Sequence, residues 1–240
     1  MPLDYGRAMS NIPTVDANDL AWLTTEDMIE VDRVMIEDLH IELIQMMENA
    51  GRNLALLAQA LWTPKSVAVY VGPGGNGGGG LVAARHLAVQ GVEVEVITVA
   101  DVDKFTPIPR HQLDIVERMG IPVRTTGELK PDGVIDAMLG YSLGGAPRDP
   151  IPAAVEAIAD TPTLALDVPT GVDSTTGETP GAFVTAQATL TLAMPKDGLR
   201  GHAAVGDLYL GNISVPPSVY TGLGKPSSPP FSQSPILRVV

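Results

Sequence analysis

The chain has 240 residues with 28 acidic and 15 basic side chains, so its formal net charge at pH 7 is −13 and its pI is about 4.5. This charge argues against unspecific nucleic-acid binding, which depends on neutralising phosphates. The absence of cysteine excludes disulfides and thiolate catalysis, the four histidines have no metal-binding spacing, and no apolar run approaches the ~18 residues of a membrane span. We therefore expect a cytoplasmic protein that binds neither nucleic acid nor membrane.

The N-terminal part of the chain changes character at residue 24. Residues 1–23 are polar and contain proline, which predicts a flexible arm. From Thr25 the apolar residues recur at helical spacing, and a second helix is predicted over residues 41–61. Glu48 and Asn49 interrupt this second apolar segment. They either form a solvated stripe or face the loop of the next strand.

The pattern around residues 66–87 is the clearest in the chain. A β-branched run at 66–71 precedes seven glycines in the nine positions 72–80, and an Ala- and Leu-rich segment follows at 81–87. This order predicts a strand, a glycine loop and a helix that begins near Leu81. Glycine lets backbone N–H groups approach a ligand, and a helix N-terminus favours an anion. The pattern therefore indicates a nucleotide site, although a flexible turn fits the glycines as well.

Strand and helix patterns alternate through the rest of the chain. The predicted strands are residues 92–99, 121–124, 133–138, 163–168, 187–193 and 207–213, and the predicted helices are residues 109–119 and 152–160. This alternation predicts an α/β fold with a mostly parallel sheet, right-handed crossovers and helices on both faces. Ligands bind such sheets beyond the carboxyl ends of the strands. Residues 217–240 are rich in Pro and Ser and are predicted to run over the surface as a tail.

Two aspartates end apolar strands. Asp136 and Asp167 would each be partly buried, which is costly unless the carboxylate meets donors, a cation or a proton. Each could simply cap the loop that follows it. With the oxygens of Asn76 and Thr170 they could instead hold a hard cation. Because one monovalent ion needs fewer charges, we assign Asp136 to the ion and Asp167 to proton transfer.

Five sequence strings, taken together, resemble the YjeF N-terminal domain family, whose enzymes are NAD(P)H-hydrate epimerases. The strings are residues 47–52 (Met-Glu-Asn-Ala-Gly-Arg), 72–87, 136–140 (Asp-Ala-Met-Leu-Gly), 167–173 (Asp-Val-Pro-Thr-Gly-Val-Asp) and 189–196 (Thr-Leu-Thr-Leu-Ala-Met-Pro-Lys). They follow the order and spacing of the family, so residues 24–216 are expected to form its domain.

The resemblance implies a three-layer αβα Rossmann-like fold, pairing into homodimers, a bound potassium ion (K+), and interconversion of the R and S forms of hydrated NADH or NADPH. By resemblance the ion ligands are Asn76, Asp136 and Thr170, and Asp167 is both catalytic and substrate-binding. The other implied substrate-binding residues are Gly75, Asn76, Gly77, Gly78, Gly79, Gly140, Tyr141, Ser142, Leu143, Gly144, Gly145 and Ala146. The chain departs from the family pattern at Gly75, where the family has Asn, and at Gly79, where it has Asp.

Two other classes of function stay open on the sequence alone. A conventional NAD-dependent dehydrogenase would use Gly72, Gly74 and Gly77 as its fingerprint and Asp101 for the ribose, but no His or Lys is obviously placed for hydride chemistry. A catalytically impaired domain of the same family could bind a nucleotide or a protein without turnover.

Overall fold

The computed structural model describes residues 12–226 and 230–240, and its centre is one nine-stranded sheet. The strands are β1 (Thr14–Val15), β2 (Ser66–Val71), β3 (Glu93–Thr98), β4 (Val123–Arg124), β5 (Gly133–Ala137), β6 (Thr163–Leu166), β7 (Ala188–Leu192), β8 (Asp207–Gly211) and β9 (Ile236–Val239). Their order across the sheet is β1-β9-β8-β7-β6-β5-β2-β3-β4. All described neighbours are parallel except β8 and β9, which confirms the mostly parallel sheet.

Six α-helices accompany the sheet in the described residues. They are α1 (Thr25–Arg33), α2 (Leu43–Trp62), α3 (Gly75–Val89), α4 (Pro107–Arg118), α5 (Ile151–Ile158) and α6 (Pro217–Gly222). None of the helices in the described part of the chain combines the length and the hydropathy that a bilayer-spanning segment needs.

The side chains of β2 explain why the fold has three layers. All six residues of β2 are buried, as expected for a central parallel strand covered on both faces. Val67, Val69 and Val71 pack with residues of α2, α3 and α4. Ala68 and Tyr70 point to the opposite face and pack with Ile158 and other residues of α5. The three-layer αβα architecture is therefore confirmed.

The predicted strands and helices occur, and apart from the helix after β2 their ends shift by only a few residues. The strand predicted at residues 66–71 has the bounds of β2, and the helix predicted at 41–61 is α2. Helix α1 begins at Thr25 as predicted, because the side chains of Thr24 and Asp27 cap each other's backbone N–H. A π-helical turn (Val34–Asp38) follows it.

The two ends of the chain differ from the sequence expectation. The arm expected at residues 1–23 falls partly outside the described residues, but Leu20 and Leu23 are buried. In the segment expected as a surface tail, β9 pairs with both β8 and β1, and Ile236 is fully buried. Hydrogen bonding to neighbouring strands at the edge of the sheet orders these short segments, although their local composition does not predict a strand.

The glycine stretch also differs, because the helix after β2 begins at Gly75 and not near Leu81. Five glycines lie in the first two turns of α3, where the helix packs against its neighbours. A Cβ at Gly79 would lie 2.6 Å from Leu166 Cδ2, and one at Gly80 would lie 2.6 Å from the Cβ of Ala137. The absence of side chains therefore allows α3 to pack closely on β5 and β6.

Candidate active site

A cavity of about 460 Å³ lies beyond the carboxyl ends of β2, β5 and β6. Its wall combines the start of α3, the segment after β5 and Asp167 directly after β6. Met28 and Asp32 of α1 and Met46 of α2 line the remaining side, so the two N-terminal helices cover the cavity. Its lining is mostly apolar. The position agrees with the rule that ligands bind at this edge of a parallel sheet.

A second cavity of about 620 Å³ adjoins the first and is more open to solvent. The two share Pro73, Leu139 and Ser142 in their walls. The second cavity is otherwise lined by the segment after β3, which includes Asp101, and by residues 142–151. We refer to the two together as the depression, in which the first is the inner, more apolar cavity and the second is the outer, more polar cavity.

Most of the predicted substrate-binding residues line this depression. Gly75, Asn76, Gly79, Gly140, Tyr141, Ser142 and Asp167 line the inner cavity, and Ser142, Leu143, Gly144, Gly145 and Ala146 line the outer one. Gly77 and Gly78 line neither cavity. A Cβ at Gly77 would overlap the carbonyl oxygen of Gly72, and one at Gly78 would meet Met47 at 2.5 Å, so both positions face the interior of the fold.

The N-terminus of α3 opens toward the place where the two cavities meet. Its first backbone hydrogen bond runs from Gly78 N to Gly74 O over 3.1 Å, which leaves the N–H groups of residues 75–77 without a partner inside the helix. The helix has no side-chain cap. Unpaired donors and the positive end of the helix dipole together suit an anionic group.

The three predicted ion ligands belong to one hydrogen-bonded chain that runs through the backbone of Leu139. Asn76 Nδ2 donates to Leu139 O over 2.7 Å, and Leu139 N donates to Thr170 Oγ1 over 3.0 Å. Thr170 Oγ1 in turn donates to Asp136 Oδ1 over 2.7 Å. The tertiary structure therefore brings an amide, a hydroxyl and a carboxylate into one group, although they come from three separate parts of the chain.

Asp136 is fully buried, and no cationic side chain among the described residues pairs with it. Burial raises the pKa of Asp136 to about 6, against the opposing effect of the hydrogen bonds from Thr170 and Met138 N. A buried carboxylate that has no cationic partner is costly. Together with the neighbouring hydroxyl and amide oxygens it forms the all-oxygen set of ligands that a hard cation prefers. The residues present therefore fit a potassium ion.

Asp167 lies at the wall of the inner cavity and is 4% exposed. Its Oδ1 accepts hydrogen bonds from the ammonium group of Lys196 and from Leu192 N. No described residue donates to Oδ2. The backbone of Asp167 has φ +67°, a left-handed conformation that costs a residue with a side chain about 1–3 kcal/mol. A strained backbone of this kind persists only where the surrounding structure imposes it, and such positions cluster at catalytic residues.

The sequence reasoning missed two charged residues of this site. Lys196 is fully buried. In addition to its hydrogen bond to Asp167, its ammonium group donates to Leu192 O over 2.8 Å and to Thr191 Oγ1 over 3.2 Å. Asp32 lines the inner cavity and accepts a hydrogen bond from Tyr141 Oη over 2.6 Å. The signal for Asp32 was available, because it follows the buried Met28 by one helical turn and so lies toward the apolar face of α1.

The idea that Glu48 and Asn49 face the loop after β2 is wrong. Glu48 pairs with Arg85 and, over 2.8 Å, with His86 on α3, and none of the three lines the inner cavity. Asn49 donates to Ser214 Oγ over 2.8 Å. Both residues join α2 to its neighbours and have no contact with the inner cavity.

The sequence is similar to those of known proteins over most of its length. A family profile described as YjeF-related protein N-terminus matches residues 43–198. An NAD(P)H-hydrate epimerase of Dehalogenimonas lykanthroporepellens is 41% identical over 238 aligned residues, which cover 94% of this chain and 96% of that protein. A bifunctional NAD(P)H-hydrate repair enzyme Nnr of Hyperthermus butylicus is 42% identical over 217 residues, covering 84% of this chain. The aligned part spans 40% of the length of that second relative.

One solved structure supports the fold independently. The crystal structure of yeast ynu0, YNL200c, superposes with a TM-score of 0.81 at 24% identity and covers 90% of this chain and 99% of the yeast chain. At this identity the likeness bears on the fold alone. It agrees with the three-layer architecture.

Proposed function

Because this chain belongs to the family of YjeF-related protein N-termini, we propose that it is an isomerase that interconverts the R and S forms of hydrated NADH or NADPH. The relative that it matches over nearly its whole length is named for this activity. The observation in the structure that carries the proposal is Asp167, a buried carboxylate with one oxygen free at the wall of an apolar cavity.

The two adjoining cavities suit the parts of such a substrate. The inner cavity accepts the hydrated nicotinamide ring beside Asp167, and the outer one accepts the rest of the nucleotide. The pyrophosphate then lies between them, at the free N–H groups that begin α3. In this arrangement the backbone of residues 75–77 binds the charge, since Gly75 offers no polar side chain.

The reaction changes the configuration of one ring carbon, which bears both the hydroxyl and the ring nitrogen. Protonation of the hydroxyl lets it leave as water and gives a conjugated iminium, and water then adds to the other face and loses a proton. Asp167 takes up this proton at its free Oδ2. Lys196 keeps Oδ1 occupied, so the reactive oxygen points to the substrate.

We also propose that Asn76, Asp136 and Thr170 hold a potassium ion. When bound, the ion supplies a fixed positive charge that neutralises Asp136. Asn76 and Thr170 also hold the backbone of Leu139, which lines both cavities, so the ordering of this segment positions the substrate. The expectations of a homodimer and of a cytoplasmic location stay predictions.

The activity can be tested directly. The purified protein is incubated with a pure R-hydrate of NADH or NADPH in a potassium buffer, and the S-hydrate is followed by chromatography against a protein-free sample. We expect S-hydrate to form faster with protein until both forms reach equilibrium, and Asp167→Asn to lose this acceleration. Binding of the hydrate without any acceleration would contradict the proposal and favour the impaired binding domain.

A further inference from the structure

Asp32 is the one acidic residue of α1 that lines the inner cavity. The helix presents Met28, Val31 and the following Met35 to the core. Its other charged side chains near Asp32 point away, since Arg33 pairs with Glu30 over 2.7 Å on the solvent side. Asp32 thus stands apart from the solvated charges of its own helix and shares a cavity with Asp167.

The phenol of Tyr141 holds Asp32 in place. Tyr141 Oη donates to Asp32 Oδ2 over 2.6 Å, across 109 residues of sequence. No described residue bonds to Asp32 Oδ1. Tyr141 itself lines the same cavity, so the hydrogen bond orients the carboxyl and leaves one oxygen toward the space that the substrate ring would fill.

The titratable groups that face Asp32 from the other elements are Tyr141, Asp167 and Lys196. Burial raises the pKa of Asp32 above its ordinary value, the Tyr141 hydrogen bond opposes this rise, the charge of Asp167 adds to it, and Lys196 lowers it. Asp167 has the ammonium of Lys196 as its direct partner, whereas Asp32 has a neutral phenol. The two carboxyls of one cavity therefore lie in different environments, which is how sites separate an acid from a base.

We propose that Asp32 is a second acid–base residue of this site and gives up a proton when Asp167 takes one. The inference rests on the proposed epimerisation. In one direction the Asp32 carboxylic acid protonates the ring hydroxyl, the C–O bond breaks, and water and the iminium form. Water then bonds to the same carbon from the other face, and its released proton passes to the Asp167 carboxylate. No electrons are transferred, and proton exchange with solvent resets the pair.

Three variants test this role. Asp32→Asn keeps the shape and removes the proton, Tyr141→Phe removes only the hydrogen bond to Asp32, and Glu26→Gln makes the same chemical change at an exposed position of the same helix. The wild type and each variant are assayed with R-hydrate for kcat, KM and pH dependence, and folding is checked by thermal unfolding.

We expect Asp32→Asn to lower kcat about 100-fold or more with little change in KM, while Glu26→Gln matches the wild type. In the wild type, kcat/KM falls as the pH rises through the titration of Asp32. Tyr141→Phe should move this alkaline limb to higher pH, because loss of a donor to the carboxylate raises its pKa. A purely structural role would change thermal stability and leave the limb in place.

The outcomes separate the inference from the function on which it rests. A wild-type protein that does not accelerate epimerisation overturns both. An active wild type together with a folded Asp32→Asn variant whose kcat stays within about tenfold of it overturns the role of Asp32 alone. If Asp32→Asn does not fold, the pH profile of Tyr141→Phe decides: an unmoved alkaline limb overturns the inference.

Discussion

The fully buried ammonium group of Lys196 donates to Asp167 Oδ1, which joins the end of β7 to the end of β6 at the wall of the inner cavity. Both charges lie outside water, so each depends on the other for compensation. Replacing only one of them leaves the other as a buried, unpaired charge.

We expect Lys196→Met and Asp167→Asn to lower the free energy of unfolding by about 3–5 kcal/mol each. The double variant should lose far less than the sum, because it removes both charges together. Denaturant unfolding of the four proteins forms a double-mutant cycle that measures this coupling. Additive losses would mean that the two side chains do not stabilise each other.

Asp167→Asn should also reduce epimerisation by about 100-fold or more, since the amide cannot exchange a proton. The double variant with Lys196→Met should regain stability but not activity. Steady-state assays at a temperature where all variants are folded separate the two effects. Activity restored in the double variant would show that only the fold, and not proton transfer, requires Asp167.

Potassium should raise the melting temperature of the protein if Asn76, Asp136 and Thr170 hold it. At 100 times the dissociation constant, binding adds about 2.7 kcal/mol, which corresponds to about 5–10 °C for a chain of this size. Asp136→Asn should abolish the response, whereas Asp160→Asn, at an exposed site, should keep it. Thermal melts in potassium chloride against tetramethylammonium chloride measure the difference; equal responses in both variants would place the ion elsewhere.

Asp136 should also give the stability a distinct pH dependence in the absence of potassium. Its pKa is about 6 in the folded state against 3.8 as the ordinary value, so the folded protein binds the proton more tightly. This contribution is fully present below pH 3.8 and is lost as the pH rises through about 6, a change of about 3 kcal/mol.

The comparison with Asp136→Asn isolates this effect from the other carboxyls. The stability of the wild type relative to the variant should fall between pH 4 and pH 7, as measured by urea unfolding. Added potassium should reduce the fall, because it stabilises the carboxylate. A constant difference across this range would mean that Asp136 titrates normally.

Gly77 and Gly75 should respond oppositely to the same substitution. A Cβ at Gly77 overlaps the backbone of Gly72, so Gly77→Ala should cost about 1–3 kcal/mol or more. A Cβ at Gly75 meets nothing within 4 Å, so Gly75→Ala should be neutral or stabilise by up to about 1 kcal/mol. Chemical denaturation of both variants provides the comparison. A stable Gly77→Ala protein would mean that the close approach of α3 to Gly72 is not required.

The sequence by itself determined the layered α/β fold and the edge of the sheet at which the cavities lie. Strands such as β2 and β6 are local apolar runs, and helices such as α2 have local periodicity, so both are visible without any partner. The position of Asp136 and Asp167 at strand ends was visible for the same reason. Parallel strands align their carboxyl ends, so these residues had to lie near one another.

Only the tertiary structure decided which charges meet in the cavity and what the glycines do. Lys196 reaches Asp167 across 29 residues and Tyr141 reaches Asp32 across 109, and no local pattern specifies such pairs. The glycines of α3 predicted a loop, because glycine disfavours helices. Close packing of the helix against Leu166 and Ala137 outweighs that preference. Strand β9 is likewise fixed by hydrogen bonds to β8 and β1, since a strand is completed by its neighbours and not by its own sequence.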